Sequence, residues 1–120
     1  MTKTALVVDD SPTIRQLVVG VLRTLGFTTI EAENGAEAIT RLGATIDLVI
    51  CDVNMPVMDG ITFVQRLRVV PTMKATPVLM LTTEIGEAIK SRARSAGATG
   101  WLTKPFAPDQ LKAVVGRVCP

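Results

Sequence analysis

Leu48 to Gly60 reads LVICDVNMPVMDG, and the architecture of the chain follows from it. Leu48, Val49 and Ile50 make an apolar, largely β-branched run that delivers Asp52 to its C-terminal end, after which Met55-Pro56 and Asp59-Gly60 force the backbone to turn. A buried strand hands one carboxylate to a loop.

The same grammar repeats on either side. Ala5-Leu6-Val7-Val8 runs straight into Asp9-Asp10, and Ser11-Pro12 then offers an N-cap followed by proline at the first helical position. Ile14, Leu17, Val18, Val21, Leu22 and Leu25 form one stripe of a helical period, which Gly26 ends. Thr28 to Ala32 fits a second strand, and Asn34 with Glu37 a capping box that opens a short helix through Ile39 and Leu42 to Gly43. Beyond Gly60, Ile61, Val64 and Leu67 mark a third helix. Pro77 to Leu81 is a fourth strand ending in Thr82-Thr83-Glu84. A fourth helix from Ile85 to Ala96 carries a thin stripe, Ile85, Ile89 and Ala93, and a basic face of Lys90, Arg92 and Arg94. Gly100 to Thr103 is a fifth strand leading into Lys104-Pro105, and Pro108 opens a last helix on Leu111, Val114, Val115 and Val118.

The pattern is (βα)5, and right-handed crossovers between near-continuous apolar strands predict an α/β fold with a doubly wound, five-stranded parallel sheet covered on both faces. In 120 residues this is one domain, expected to span residues 1–120. Hydrophobic residues make up 48% and charged ones 20%, as in a globular chain. The formal charge of +2 comes with no basic stripe, so nucleic acid is not an expected partner. Only four apolar residues separate Met1-Thr2-Lys3-Thr4 from Asp9, too few for an export signal or a membrane span, and the cytoplasm is the expected compartment. Cys51 lies in the central strand and Cys119 near the end, so no disulfide framework is expected and Cys51 reads as core. The chain has no histidine, which excludes imidazole metal sites, histidine-assisted nucleophiles and a phosphohistidine of its own.

Ligands of open parallel sheets sit outside the carboxyl ends of the strands. This chain puts Asp9 and Asp10 after its first strand, Asp52 after the third, Thr82 after the fourth and Lys104 after the fifth. Each alone has an ordinary reading, as a helix-dipole acid, a strand-end hydroxyl or a solvated lysine. Together they make three carboxylates against one ammonium, an imbalance relieved by a raised pKa or a divalent cation, for which oxygen ligands favour Mg²⁺. Neither GxxxxGK[ST] nor a strand-end GxGxxG is present to cradle a nucleotide. A carboxylate beside a cation, a hydroxyl and a lysine is suited to accepting a phosphoryl group as an acyl phosphate.

Asp9-Asp10, the run from Asp52 to Gly60, Thr82 and Lys104-Pro105-Phe106 resemble, in this order and spacing, the bacterial response-regulator receiver domains of the chemotaxis CheY type. The resemblance covers the whole chain, and the flavodoxin-like strand order 2-1-3-4-5 is taken from it. It implies that Asp52 is the phosphoacceptor, that Asp9, Asp10, Asp52 and the Asn54 backbone carbonyl hold Mg²⁺, and that Lys104, through a cis bond to Pro105, reaches the phosphoryl group. It makes Thr82 and Trp101 switch residues, although Trp101 also reads as an ordinary core tryptophan. Asn54 and Glu84 fall where the family tunes dephosphorylation. Thr83 stands where small residues are common, so rapid reaction with small donors is not carried over.

The function so implied is that of a stand-alone, monomeric two-component regulator. A partner histidine kinase supplies the phosphoryl group, and output passes to a protein target through the surface of helix 4, strand 5 and helix 5, in chemotaxis or flagellar motor control. It is a signalling phosphoacceptor rather than an enzyme. A phosphorelay intermediate and a receiver cut from a longer regulator are the neighbouring alternatives. A Mg²⁺-dependent aspartyl-phosphate phosphohydrolase is disfavoured by Asn54, where such enzymes carry a second acid, and a flavin module by acids where a phosphate would sit.

Overall fold

The computed structural model describes residues 2–43 and 45–120. Met1, the first residue of the segment weighed as an export signal, lies outside them. Strands β1 (Thr4–Val8), β2 (Thr28–Ala32), β3 (Leu48–Asp52), β4 (Val78–Thr82) and β5 (Gly100–Thr103) alternate with helices α1 (Pro12–Thr24), α2 (Gly35–Thr40), α3 (Gly60–Val69), α4 (Glu87–Ala96) and α5 (Pro108–Val118), with a 3-10 turn at Pro71–Met73. The strands pair in parallel in the order β2-β1-β3-β4-β5.

Alternation along each strand divides the core into two layers. Leu6, Val8, Val49, Cys51, Val78 and Met80 pack with Phe63, Val64 and Leu67 of α3 and with Ala38, Ile89 and Ala93 from α2 and α4. Ala5, Val7, Leu48, Ile50, Leu79 and Leu81 face Val18 and Leu22 of α1 and Leu111 and Val115 of α5. Every residue of β3 and β4 is buried, as a central parallel strand requires. Fully buried side chains such as Phe63, Leu22 and Leu67 each contribute about 2 kcal/mol by leaving water.

The expected N-caps form, although the capping box at α2 is only half made, since the Glu37 side chain pairs with Arg41 at 3.4 Å and not with the Asn34 backbone. Ser11 Oγ accepts the Ile14 N–H at 3.3 Å, and Asn34 Oδ1 accepts that of Glu37 at 2.8 Å. Asp59 caps α3 through the Thr62 N–H at 2.9 Å, and Gly26 takes a φ of 90° past the end of α1. Cys51 is buried in the core, where desolvation first, and then the neighbouring Asp52, push its thiol well up; both cysteines are free.

Three positions depart from the sequence reading. Helix α2 ends at Thr40, so Leu42 falls in the turn that follows it rather than in the helix. Helix α4 starts at Glu87, because Gly86 has a φ of 121°, and Ile85 therefore lies in the preceding loop, 80% exposed, rather than in the helix stripe. Leu25 falls at the C-cap of α1 and is 42% exposed. The anchoring of α4 is uneven. Its N-cap has no side-chain hydrogen bond, whereas at its other end Arg68 donates to Gly97 O from Nε (3.0 Å) and Nη2 (2.8 Å) and to Met73 O from Nη1 (2.7 Å).

Candidate functional site

Register assembles the site. Val8 lies beside Cys51 and Asp52 beside Leu81, so Asp9 and Asp52 leave neighbouring strands at one level. Thr82 pairs with Thr103, and the Lys104 N–H donates to Thr82 O at 2.7 Å, which brings the lysine to the same edge. The Lys104-Pro105 bond is cis.

Asp9 is fully buried and Asp52 is 5% exposed, while Asp10 is exposed. Lys104 Nζ donates to Asp9 Oδ2 at 3.0 Å and lies 3.3 Å from Asp52 Oδ2. Asp9 Oδ1 accepts the Ser11 N–H at 2.9 Å, and Asp52 Oδ1 accepts that of Asn54 at 3.4 Å. One ammonium does not neutralise this pocket. Burial first, and then Asp9, push the Asp52 carboxyl above its ordinary range against the pull of Lys104.

Carboxylate oxygens of Asp9, Asp10 and Asp52 lie within 4.8 Å of one another. Oxygen-only donors, a surplus of negative charge and one exposed member open to solvent fit a hard divalent cation with a partly aqueous shell, and among these Mg²⁺.

Thr82 is nearly buried at the edge of this group, and its Oγ1 accepts the Glu84 N–H at 2.9 Å. That bond engages one lone pair, and the hydroxyl still carries a proton with which it can donate. Glu84 and Asn54 are exposed beside the mouth. Trp101 is half-buried on β5, neither a sealed core residue nor a free one, with Lys90 Nζ 5.4 Å and the Arg94 guanidinium 5.3 Å from its ring centroid. Both cations belong to α4. Between Thr82 and Trp101 lies a gap of only about 10 Å³, lined also by Val53, Met80, Ile89 and Ala93.

Two supporting residues were not singled out from sequence. Gly60 brings the start of α3 so close to β3 that a Cβ there would collide with the Asp52 carbonyl; the Asp59-Gly60 pair signalled the turn but not this approach. Arg15 donates from Nη1 to Asp9 O at 2.7 Å and pairs with Glu31 at 3.2 Å, fixing the β1–α1 junction, and nothing local to Arg15 marks it out.

Comparison with known proteins agrees with this geometry. The family model described as response regulator receiver domain matches residues 5–116. The chain is 42% identical over 110 residues to chemotaxis protein CheY1 of Helicobacter pylori, covering 89% of each chain. Against chemotaxis protein CheY of Pseudomonas aeruginosa it is 37% identical over 115 residues, 94% of this chain and 93% of the relative. The crystal structure of Vibrio cholerae CheY4 superposes with a TM-score of 0.94 at 44% identity, covering 98% of this chain and 99% of that one.

Proposed function

This chain belongs to the response regulator receiver domain family, and on that premise we propose that it is a chemotaxis-type response regulator whose Asp52 accepts a phosphoryl group from a histidine kinase. The observation that carries the reading is Asp52 itself: a nearly buried carboxylate, 3.3 Å from an ammonium, in a pocket with more negative charge than that ammonium offsets. The chain and these chemotaxis relatives match over 89% or more of each other's length, which supports a regulator of their type. Among the described residues no helix is long and apolar enough to cross a membrane.

Asp9, Asp10, Asp52 and the Asn54 backbone carbonyl are the groups that would hold Mg²⁺. When bound, Mg²⁺ supplies positive charge that offsets both the acids and the incoming phosphoryl oxygens. Asp52 then acts as nucleophile: the donor's P–N bond breaks as a P–O bond to Asp52 forms, and the departing imidazole keeps the electron pair and takes up one proton. Lys104 leaves its contact with Asp52 Oδ2 for a phosphoryl oxygen while staying anchored on Asp9. The Thr82 hydroxyl donates to another oxygen. Asn54 and Glu84, at the mouth, govern how a hydrolytic water reaches the acyl phosphate.

Switching couples Thr82 to Trp101. The gap of about 10 Å³ between them cannot admit an indole ring, so inward rotation of Trp101 requires its lining to give way, through a shift of Thr82 and of Ile89 and Ala93 on α4. The loosely capped N-terminal end of α4 is the end that yields, and the cation contacts from Lys90 and Arg94 carry the change to the surface of α4, β5 and α5, where a target protein binds. Protein contact, rather than turnover of a substrate, is the output.

The test is Trp101 fluorescence, titrated with Mg²⁺ and then with beryllofluoride in the wild type and in Asp52→Ala. A metal response followed by a second change that disappears in Asp52→Ala supports the reading. Silence to both ligands would leave a receiver fold without receiver chemistry.

A further inference from the structure

Val57 stands in the loop between β3 and α3 with a φ of 71°, a conformation that a β-branched side chain resists. The Met58 N–H donates to Pro56 O at 2.8 Å around it, closing a three-residue turn of the rare positive-φ kind. Both flanks of the turn are fixed. Met58 lies against Gly35, where a Cβ would sit 3.0 Å from Met58 Cγ, and the Gly60 N–H donates to Val53 O at 2.8 Å. The loop is therefore held in a shape that glycine or asparagine would adopt at lower cost. Nothing inside the molecule compensates for the valine, because it is 82% exposed.

Ile85 repeats the arrangement on the next loop, 80% exposed and immediately before Gly86 with its φ of 121°. Strands β3 and β4 are neighbours in register, Asp52 opposite Leu81, so the two loops rise side by side at the carboxyl edge. Single exposed aliphatic residues are ordinary. Two of them on adjacent loops beside a recessed acid, one in strained backbone, are an arrangement that calls for a partner.

We propose that Val57 and Ile85 are the apolar contacts on which a phosphohistidine-bearing donor protein seats itself, an inference that rests on the phosphoacceptor reading of Asp52. The choice of occupant follows from access and charge. Asp52 is 5% exposed, so a donor imidazole must project into the pocket from a surface laid across these loops. Asp10, Asp59 and Glu84 are exposed around the same rim, so the surface that fits is apolar at its centre with basic groups at its edge. A free small donor needs no such seat.

The experiment compares two donors with the same P–N bond: the phosphorylated phosphotransfer domain of a chemotaxis-type histidine kinase, and phosphoramidate. Wild type, Val57→Gly, Val57→Asn, Ile85→Ala and the Val57→Gly/Ile85→Ala double variant are assayed with Mg²⁺, and thermal unfolding reports folding. Both Val57 variants should unfold at or above the wild-type temperature, because each relieves the turn. Phosphoramidate should label all five within about twofold, whereas kcat/KM with the protein donor should fall roughly tenfold in the double variant, mainly through KM. Undiminished transfer from the protein donor to the double variant would overturn the proposal, and so would an equal loss with both donors. Failure of the wild type to take a phosphoryl group from phosphoramidate would instead remove the phosphoacceptor reading on which the proposal stands.

Discussion

Lys104 Nζ lies 3.3 Å from Asp52 Oδ2 while donating to the fully buried Asp9 at 3.0 Å, so one ammonium from the edge strand joins the carboxylates of two central strands. Replacing Lys104 with Met leaves Asp9 buried without its cation. The expected cost in metal-free buffer is about 3 kcal/mol, within the range for breaking a buried ion pair. Chemical denaturation in EDTA measures it. Adding Mg²⁺ should recover part of the loss in the stability of Lys104→Met but none of its phosphorylation rate.

Asp52 carries the opposite balance. Burial, then Asp9, raise its folded-state pKa, so between the unfolded and folded values the native state holds more protons than the unfolded one. Stability therefore falls as pH rises through that window, and at neutral pH the ionised carboxylate is a net burden on the apo protein. Asp52→Asn should melt higher than wild type at pH 7 in EDTA, with the difference closing below about pH 4, where Asp52 is protonated in both states. A melting temperature unchanged by Asp52→Asn at pH 7 would contradict the strained-carboxylate account.

Arg68 ties the C-terminal end of α4 to α3 through Gly97 O and Met73 O. Removing it takes both guanidinium bonds from Gly97 O and leaves Met73 O with only the Thr76 N–H at 3.4 Å, and Arg68→Ala should cost about 2 kcal/mol. Amide hydrogen exchange should quicken in Ala93–Ala96 before it quickens in β4. If the N-terminal turn of α4 responds more than the C-terminal one, the asymmetry of anchoring has been misjudged.

What the sequence disclosed and what it withheld divide along physical lines. Strands β3 and β4 are buried on both faces, so their composition alone identifies them, and strand ends bearing Asp9, Asp52, Thr82 and Lys104 converge because parallel crossovers leave no other option. Ile85 misled because its spacing to Ile89 is helical, while the positive φ of Gly86 between them breaks the helix. The support given by Arg15 to Asp9 O and the clamp of Arg68 on Gly97 are long side chains reaching backbone carbonyls, and no periodicity encodes such contacts. The strain at Val57 was equally hidden, since Pro56-Val57-Met58 announces a turn but not its hand.

The central claim is that Asp52 takes the phosphoryl group. Its most direct measurement is the intact mass of the protein after incubation with Mg²⁺ and phosphoramidate, followed by borohydride reduction and peptide mapping to locate the acyl phosphate. The account predicts one added phosphoryl group, mapped to Asp52 and absent both in Asp52→Asn and in EDTA. A modified wild type whose label maps to Asp9, Asp10 or a hydroxyl residue, or a label that persists in Asp52→Asn, would contradict it.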